Sequence, residues 1–350
     1  MRVGLAAVVL SLLGGCSNVQ YYWQQTTGHL AILRAAQPID DWLARPDVSD
    51  ALKRRLRAVQ RIRTFAVDAL DLPRNASYTR YADLHRPYAL WNVAATPALS
   101  LTPVQWCFAV TGCVGYRGYY LRSDADALAA QLRAAGDDVS VYGVPAYSTL
   151  GYLNWLGGDP VLNTFIDYPD GELARLIFHE LAHQVAFAKD DSTFNESFAT
   201  TVEQLGVERY LAREGDAAMR AEYAAFDARR RDFRALLLEH RRALEALYAS
   251  QLSDADKLRK KAEEFAALQA GYAALKAGKW GGYSGYDAYF AQPLNNANLA
   301  SIATYTALGP FFERLFAQQG GDFARFYARV RTLAGEPKAE RDAQIAAMMK

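Results

Sequence analysis

Glutamate is missing from the first 171 residues of the chain. The first is Glu172, and all fourteen lie from there onward. Before that point every acidic side chain is an aspartate, which limits where glutamate-based acid–base chemistry can arise. An excess of one charge is also lacking: 39 lysines and arginines stand against 38 aspartates and glutamates. A net charge of +1 offers no basic footprint for a nucleic-acid partner. Cysteine is scarce, at three, and neither Cys107 nor Cys113 has a histidine or further cysteine at ligand spacing, so they form no thiolate metal cluster. Histidine is scarce too, yet two of the five fall in one six-residue window, "HELAHQ" at 179–184. No internal repeat is present. What remains is ordinary globular composition: 350 residues, 51% apolar and 22% charged, enough for one large core or two smaller ones.

The chain opens on "MRVGLAAVVLSLLGGC". Arg2 supplies a positive end, and Val3 to Leu13 form an apolar stretch of about eleven residues, shorter than the roughly 20 needed to cross a bilayer. Leu13-Gly14-Gly15-Cys16 resembles a bacterial lipobox, which implies a signal peptide at 1–15 and lipidation of Cys16. An ordinary secretory signal that happens to contain a cysteine is the alternative. Ser17 in place of aspartate favours, by resemblance to known lipoproteins, sorting to the outer membrane. The expected location is the bacterial cell envelope, lipid-anchored and facing the periplasm. In that oxidising compartment Cys107 and Cys113 read as one disulfide, with two buried free thiols as the alternative.

Residues 16–28 read as a tether. Helical periodicity runs from about 29 to 71, where Lys53, Arg54, Arg55, Arg57, Arg61 and Arg63 form either a solvated face or a contact for anionic lipid. Strand signals rich in valine and tyrosine dominate 87–152, interrupted by the helix "DADALAAQLRAAG". Pro169-Asp170-Gly171 turns the chain into the helix bearing "HELAHQ", which is apolar nearly all round and therefore buried. The pattern predicts an N-terminal unit of helices, sheet and metal-binding helices over 29–212. A long helical hairpin over 213–277 follows, with Ser253 as an N-cap, and then a helical part over 278–350 that completes the cleft. The fold class is α+β: a small mixed sheet over a metal-binding helix, with a mainly helical remainder.

His179 and His183 lie one turn apart on one helix face, so both imidazoles can meet one metal ion. Glu180 flanks them and can take a proton from a metal-activated water. This is the logic of HExxH, and it predicts one Zn²⁺ with Glu180 as general base. A catalytic zinc usually takes three protein ligands and keeps one position open. "FNESFATTVE", from Phe194, resembles the Asn-Glu-x-Phe-Ala-x-x-x-Glu segment of the aminopeptidase N group of gluzincins. That resemblance implies Glu196 as third ligand. The competing reading is a capping box, Thr193-x-x-Glu196, with Glu196 folded back onto the cap. Only twelve residues separate His183 from Glu196, fewer than in that group. Glu203, two turns beyond Glu196, either holds a zinc histidine through its other nitrogen or is a surface carboxylate.

Taken together, "WCFAVTGCVGYRGYY", "GVPAYSTLGY", "HELAHQ", "FNESFATTVE" and "PLNNANLASIATY" resemble a family of proteobacterial lipoproteins described as predicted zinc aminopeptidases. The resemblance covers most of the mature chain and implies a gluzincin-like zinc metallopeptidase acting on peptides. Gluzincins often stabilise the oxyanion with a tyrosine or histidine beyond the third ligand. Tyr305 and Tyr283 are the leading candidates here, with Tyr286 and Tyr289 behind them. The group also binds peptide as a strand added to a sheet edge, which points to Ala146, Tyr147, Ser148, Thr149, Leu150 and Gly151, just after Pro145. Asn295 and Asn296 are either substrate contacts or turn residues. Aminopeptidases of the N group anchor the free amine with a glutamate upstream of the zinc helix. This chain has none there, so Asp159, Asp167 or a downstream acid would have to serve. An endopeptidase of the same mechanism, and a non-catalytic zinc lipoprotein that binds a protein partner through its hairpin, are the alternatives.

Overall fold

The computed structural model describes residues 21–108, 112–146, 148–151, 154–300, 302 and 307–350. Cys16, Tyr147 and Tyr305 lie outside the described residues, as does the whole 1–20 segment. No described helix is long and apolar enough to cross a membrane.

A helix through 21–35 (α1) leads into β1 (Gln37–Pro38), α2 (Ile39–Ala44) and α3 (Asp50–Leu70). Ser49 caps α3 by accepting from the amide of Leu52. The strands β2 (Arg80–Ala82), β3 (Leu90–Pro97), β4 (Trp106–Phe108), β5 (Gly112–Val114) and β6 (Arg117–Tyr119) follow. Helix α4 (Arg122–Ala134) then precedes β7 (Asp137–Val144) and β8 (Val161–Leu162).

The strands make three small sheets: a mixed one in the order β1-β2-β8, an antiparallel one in the order β6-β3-β7, and the β4-β5 ribbon. The ribbon is cross-linked, with Cys107 opposite Cys113 and a disulfide between them. The paired reading of the two cysteines therefore holds.

The strand expected to run on through Gly151 ends at Val144. Pro145 supplies no amide donor, and beyond it Leu150 and Gly151 take left-handed φ values of 55° and 78°. Ala146 and Ser148–Gly151 are thus not strand, and the chain turns at Leu150 and Gly151, a correction to the extended segment read from sequence. The ring of Tyr88 packs where a side chain at position 143 would stand, so Gly143 serves sheet packing.

Helix α5 (Asp170–Ala182) is buried on nearly every side, as an all-apolar helix must be. It lies against α3, α6 (Ser192–Glu214) and α7 (Ala217–Ala249). The largest core gathers around it: Leu173, Ile177, Phe178 and Leu181 meet Phe65, Phe198 and Tyr210. The short α9 (Asp287–Phe290) and α10 (Asn296–Ala300) follow the hairpin. The core is then closed by α11 (Gly309–Gln318), α12 (Phe323–Gly335) and α13 (Lys338–Met349). A second core lies between the β6-β3-β7 sheet and α4.

The hairpin of α7 and α8 (Asp254–Ala277) turns at Ser250–Ser253, with Ser253 capping α8. It is not a free arm. Leu237, Leu244, Phe265 and Leu268 form a third core with Leu101 and Leu299. Lys261 pairs with Asp138 of β7 at 2.5 Å, and Tyr248 donates to Asn296 at 2.7 Å. Asn296 is fully buried, its amide donating to the carbonyls of Ala98 and Ser100. Asn295 donates to the carbonyl of Val139. Both asparagines brace α10 against the strands and the loop that follows β3.

Candidate metal centre

Helix α5 brings His179 and His183 to one side of its last turn, with ring nitrogens Nε2 at 3.2 Å from each other. Glu196 reaches them from α6, its carboxylate oxygens 3.3 Å from His179 Nε2 and 3.7 Å from His183 Nε2. The capping-box reading of Glu196 fails on geometry. Asp191, not Thr193, is the N-cap of α6 and accepts from the amide of Phe194, so Glu196 sits further into the helix and faces α5.

One nitrogen from each histidine and a carboxylate oxygen of Glu196 converge closely enough to share one metal ion, and donors at the roughly 2.0–2.1 Å of zinc–nitrogen and zinc–oxygen bonds stand about 3.3 Å apart around a tetrahedral centre. The donor set therefore fits one tetrahedral ion with a fourth position left over. Its chemistry agrees. Burial holds His183 down to about 4, which keeps the ring neutral as a ligand must be. Burial also disfavours charge on His179, but hydrogen bonding to Glu196 and Glu203 outweighs it and pushes the ring up to about 10. The cluster thus calls for positive charge at this point, which a cation supplies.

Glu203 is 1% exposed. Its carboxylate accepts from His179 Nδ1 at 2.9 Å and from Arg175 at 2.9 and 3.0 Å. Burial opposes its charge, yet Arg175 and then His179 bring it down to about 2. Arg175 also holds Glu172, which in turn receives Arg230 of α7. A chain of paired charges therefore runs from the hairpin to the back of His179, and fixes that ring with Nε2 facing Glu196 and His183.

The carboxylate of Glu180 makes no hydrogen bond among the described residues. Burial, opposed in part by His179, pushes it up to about 7. An unpaired carboxylate with that affinity can accept a proton near neutral pH.

Two tyrosines that the sequence reading missed come to this site. Tyr116, in the turn between β5 and β6, and Tyr142, on β7, expose 44% and 36% of their surface. Burial of the hydroxyl ends raises both, and the negative charge of Glu196 raises them further; Glu180 adds to the effect at Tyr116. No local signal marks them, because they arrive through the strands and not along α5 or α6. Tyr283 goes elsewhere: it packs against Phe226, Trp280 and Tyr286 at the base of the hairpin, under Arg229. Tyr289 stacks in the same aromatic group and donates to the carbonyl of Asn298.

Gln184, next after His183, anchors a polar cluster. Its Nε2 donates to Ser77 and Asp159, and its Oε1 accepts from Asn75 at 2.7 Å. Asp159 is 2% exposed, and its oxygens take the amide of Thr149 at 3.1 and 3.2 Å. It ties the Ser148–Gly151 turn to the end of α5 and is not open to a substrate amine. Asp167 lies just before the start of α5, at the other end from His183.

Neither a curated protein nor a solved structure matches the chain. A family model does, over residues 20–345, and the chain belongs to the family described as Putative aminopeptidase.

Proposed function

We propose that the chain is a zinc-dependent metallopeptidase. One Zn²⁺ would be held by His179, His183 and Glu196, with Glu180 as general base. The observation that carries the reading is the convergence of three donor atoms beside Glu180, a carboxylate with no hydrogen-bond partner among the described residues. A zinc ion at such a site supplies Lewis-acid chemistry, acidifying water and polarising a carbonyl. The protein's own groups then divide the work. Glu180 takes the proton of the attacking water and passes it to the leaving amine as the C–N bond breaks. Glu203 keeps His179 oriented. Tyr116 and Tyr142, whose hydroxyls feel the charge of Glu196, are candidates to stabilise the oxyanion, with Tyr305 a further one. A peptide adding to a sheet edge would use β7 near Tyr142, upstream of the turn at Leu150 and Gly151.

The family supports action on peptides. An endopeptidase is favoured as the second reading by one observation: Asp159, one of the two upstream acids that could take a free amine, is buried and already bonded to Thr149 and Gln184. The leader and Cys16 support lipid anchoring in the envelope, facing the periplasm.

Glu196→Ala should cut zinc content to a small fraction of wild type and abolish peptide hydrolysis, measured by elemental analysis of the purified protein and a peptide-library digest. Full zinc occupancy in that variant would remove Glu196 from the site.

A further inference from the structure

One face of α7 carries Arg230, Arg234, Leu237 and Arg241 at helical spacing. Arg230 is bound to Glu172 of α5 at 2.7 Å. Arg241, at the other end of the stripe, donates to the carbonyls of Leu299 and Ala300 of α10 at 2.9 and 3.0 Å. Arg234 lies between these two anchors, where α7 spans from the metal-bearing helix to the end of α10. It is half-buried, and among the described residues it has no hydrogen bond, ion pair or aromatic partner.

The groups that act on Arg234 are Glu203, Arg230, Arg175 and Tyr286. Of these only Glu203 is acidic, and both its oxygens are already taken by Arg175 and His179. Glu172 is likewise shared between Arg175 and Arg230. Arg175 and Arg230 thus take up Glu172 and Glu203, Arg230 holds Asp227 as well, and Arg234 is left without a partner for its fork of N–H donors among the described residues. A partly desolvated guanidinium is costly to leave unmatched, and its planar fork fits a carboxylate in two parallel hydrogen bonds.

The geometry points to Arg234 as the recognition site for a carboxylate on the substrate, held on the hairpin wall at a fixed distance from the metal-binding histidines. The inference rests on the peptidase reading for the identity of the ligand as a peptide, but not for the existence of the anion site. A peptide offers two carboxylates: its C-terminus, in which case the protein measures short peptides from that end, or an aspartate or glutamate side chain.

The test is equilibrium binding by calorimetry, in the zinc-loaded full chain carrying Glu180→Gln so that no turnover intervenes. The probes are acetyl-tetraalanine as free acid and as amide, and an acetylated alanine peptide amide with one internal Glu or Gln. A carboxylate form should bind at least about tenfold more tightly than its neutral twin, the gain of one charge-assisted contact. Arg234→Gln should erase that ratio, and Arg234→Lys should restore part of it. A preference confined to acid over amide assigns the C-terminus, and one confined to Glu over Gln assigns the side chain. Equal binding of both members of each pair to the protein with Arg234 intact would overturn the inference, as would a preference that survives Arg234→Gln. Wild-type protein that hydrolyses no peptide but shows the Arg234-dependent preference would sink the peptidase reading and leave the anion site standing.

Discussion

Glu180 and Glu203 are both buried beside His179, yet they are set for opposite tasks. Glu203 receives Arg175 and His179, so its charge is held at every ordinary pH. Glu180 receives no hydrogen bond among the described residues, and burial pushes it up to about 7. The difference is one of partners, since burial acts on both in the same direction. Glu180→Gln removes the proton acceptor without touching a donor atom of the metal cluster. It should retain zinc and lower peptide hydrolysis by about 10²–10⁴-fold, read from initial rates at matched metal content. Wild-type rates in that variant would exclude Glu180 as the base.

At the scale of elements, the entry into α6 decides where Glu196 points, and Asp191 fixes that entry. It caps the helix through the amide of Phe194 and also accepts from Arg341 of α13 at 2.7 Å, with side chains 4% and 2% exposed. Asn caps helices about as well as Asp, so Asp191→Asn isolates the ion pair. It leaves a buried guanidinium without its counter-charge and should cost about 3–5 kcal/mol in denaturant unfolding. Burial would raise the Asp191 carboxyl, but the hydrogen bonds from Arg341, Phe194 and Lys338 outweigh it and hold it below the ordinary 3.8. The pair's contribution is therefore present above that value and lost as pH falls through the lower folded one. The stability gap between wild type and variant should narrow only in acid, below about pH 4. The absence of any gap at neutral pH would show that Asp191 contributes through its cap alone.

For the whole molecule, the hairpin joins parts that the chain order keeps apart. Arg230 ties it to α5 at one end, and Lys261 ties it to β7 at the other through Asp138 and the carbonyl of Ala98. Lys261→Met keeps the apolar stem and leaves Asp138 short of its cation in a site where the pair is 12% and 17% exposed. The expected loss is about 3 kcal/mol. Because β7 carries Tyr142, the same change should raise KM for peptides while zinc content stays at the wild-type level. Wild-type stability and KM would show that the hairpin does not brace the cleft.

The sequence by itself determined the features that depend on local periodicity and spacing. The i, i+4 histidines, the all-apolar helix that carries them, the Ser253 cap and the closeness of Cys107 to Cys113 are written within a few residues of one another, and local geometry allows few other outcomes. The tertiary structure decided what depends on long loops and paired charges. Whether Glu196 turned back onto a cap or toward the histidines was settled by Asp191 binding Arg341, 150 residues away. Glu203 could equally have been a surface carboxylate until α6 packed against α5. Tyr116, Tyr142 and Arg234 have no local mark, because their meaning comes from a sheet and a hairpin arriving from opposite sides of one helix. The strand after Pro145 failed for a related reason: its alternation of residue types matched a strand, but the buried carboxylate of Asp159 captured the amide of Thr149 and turned the chain.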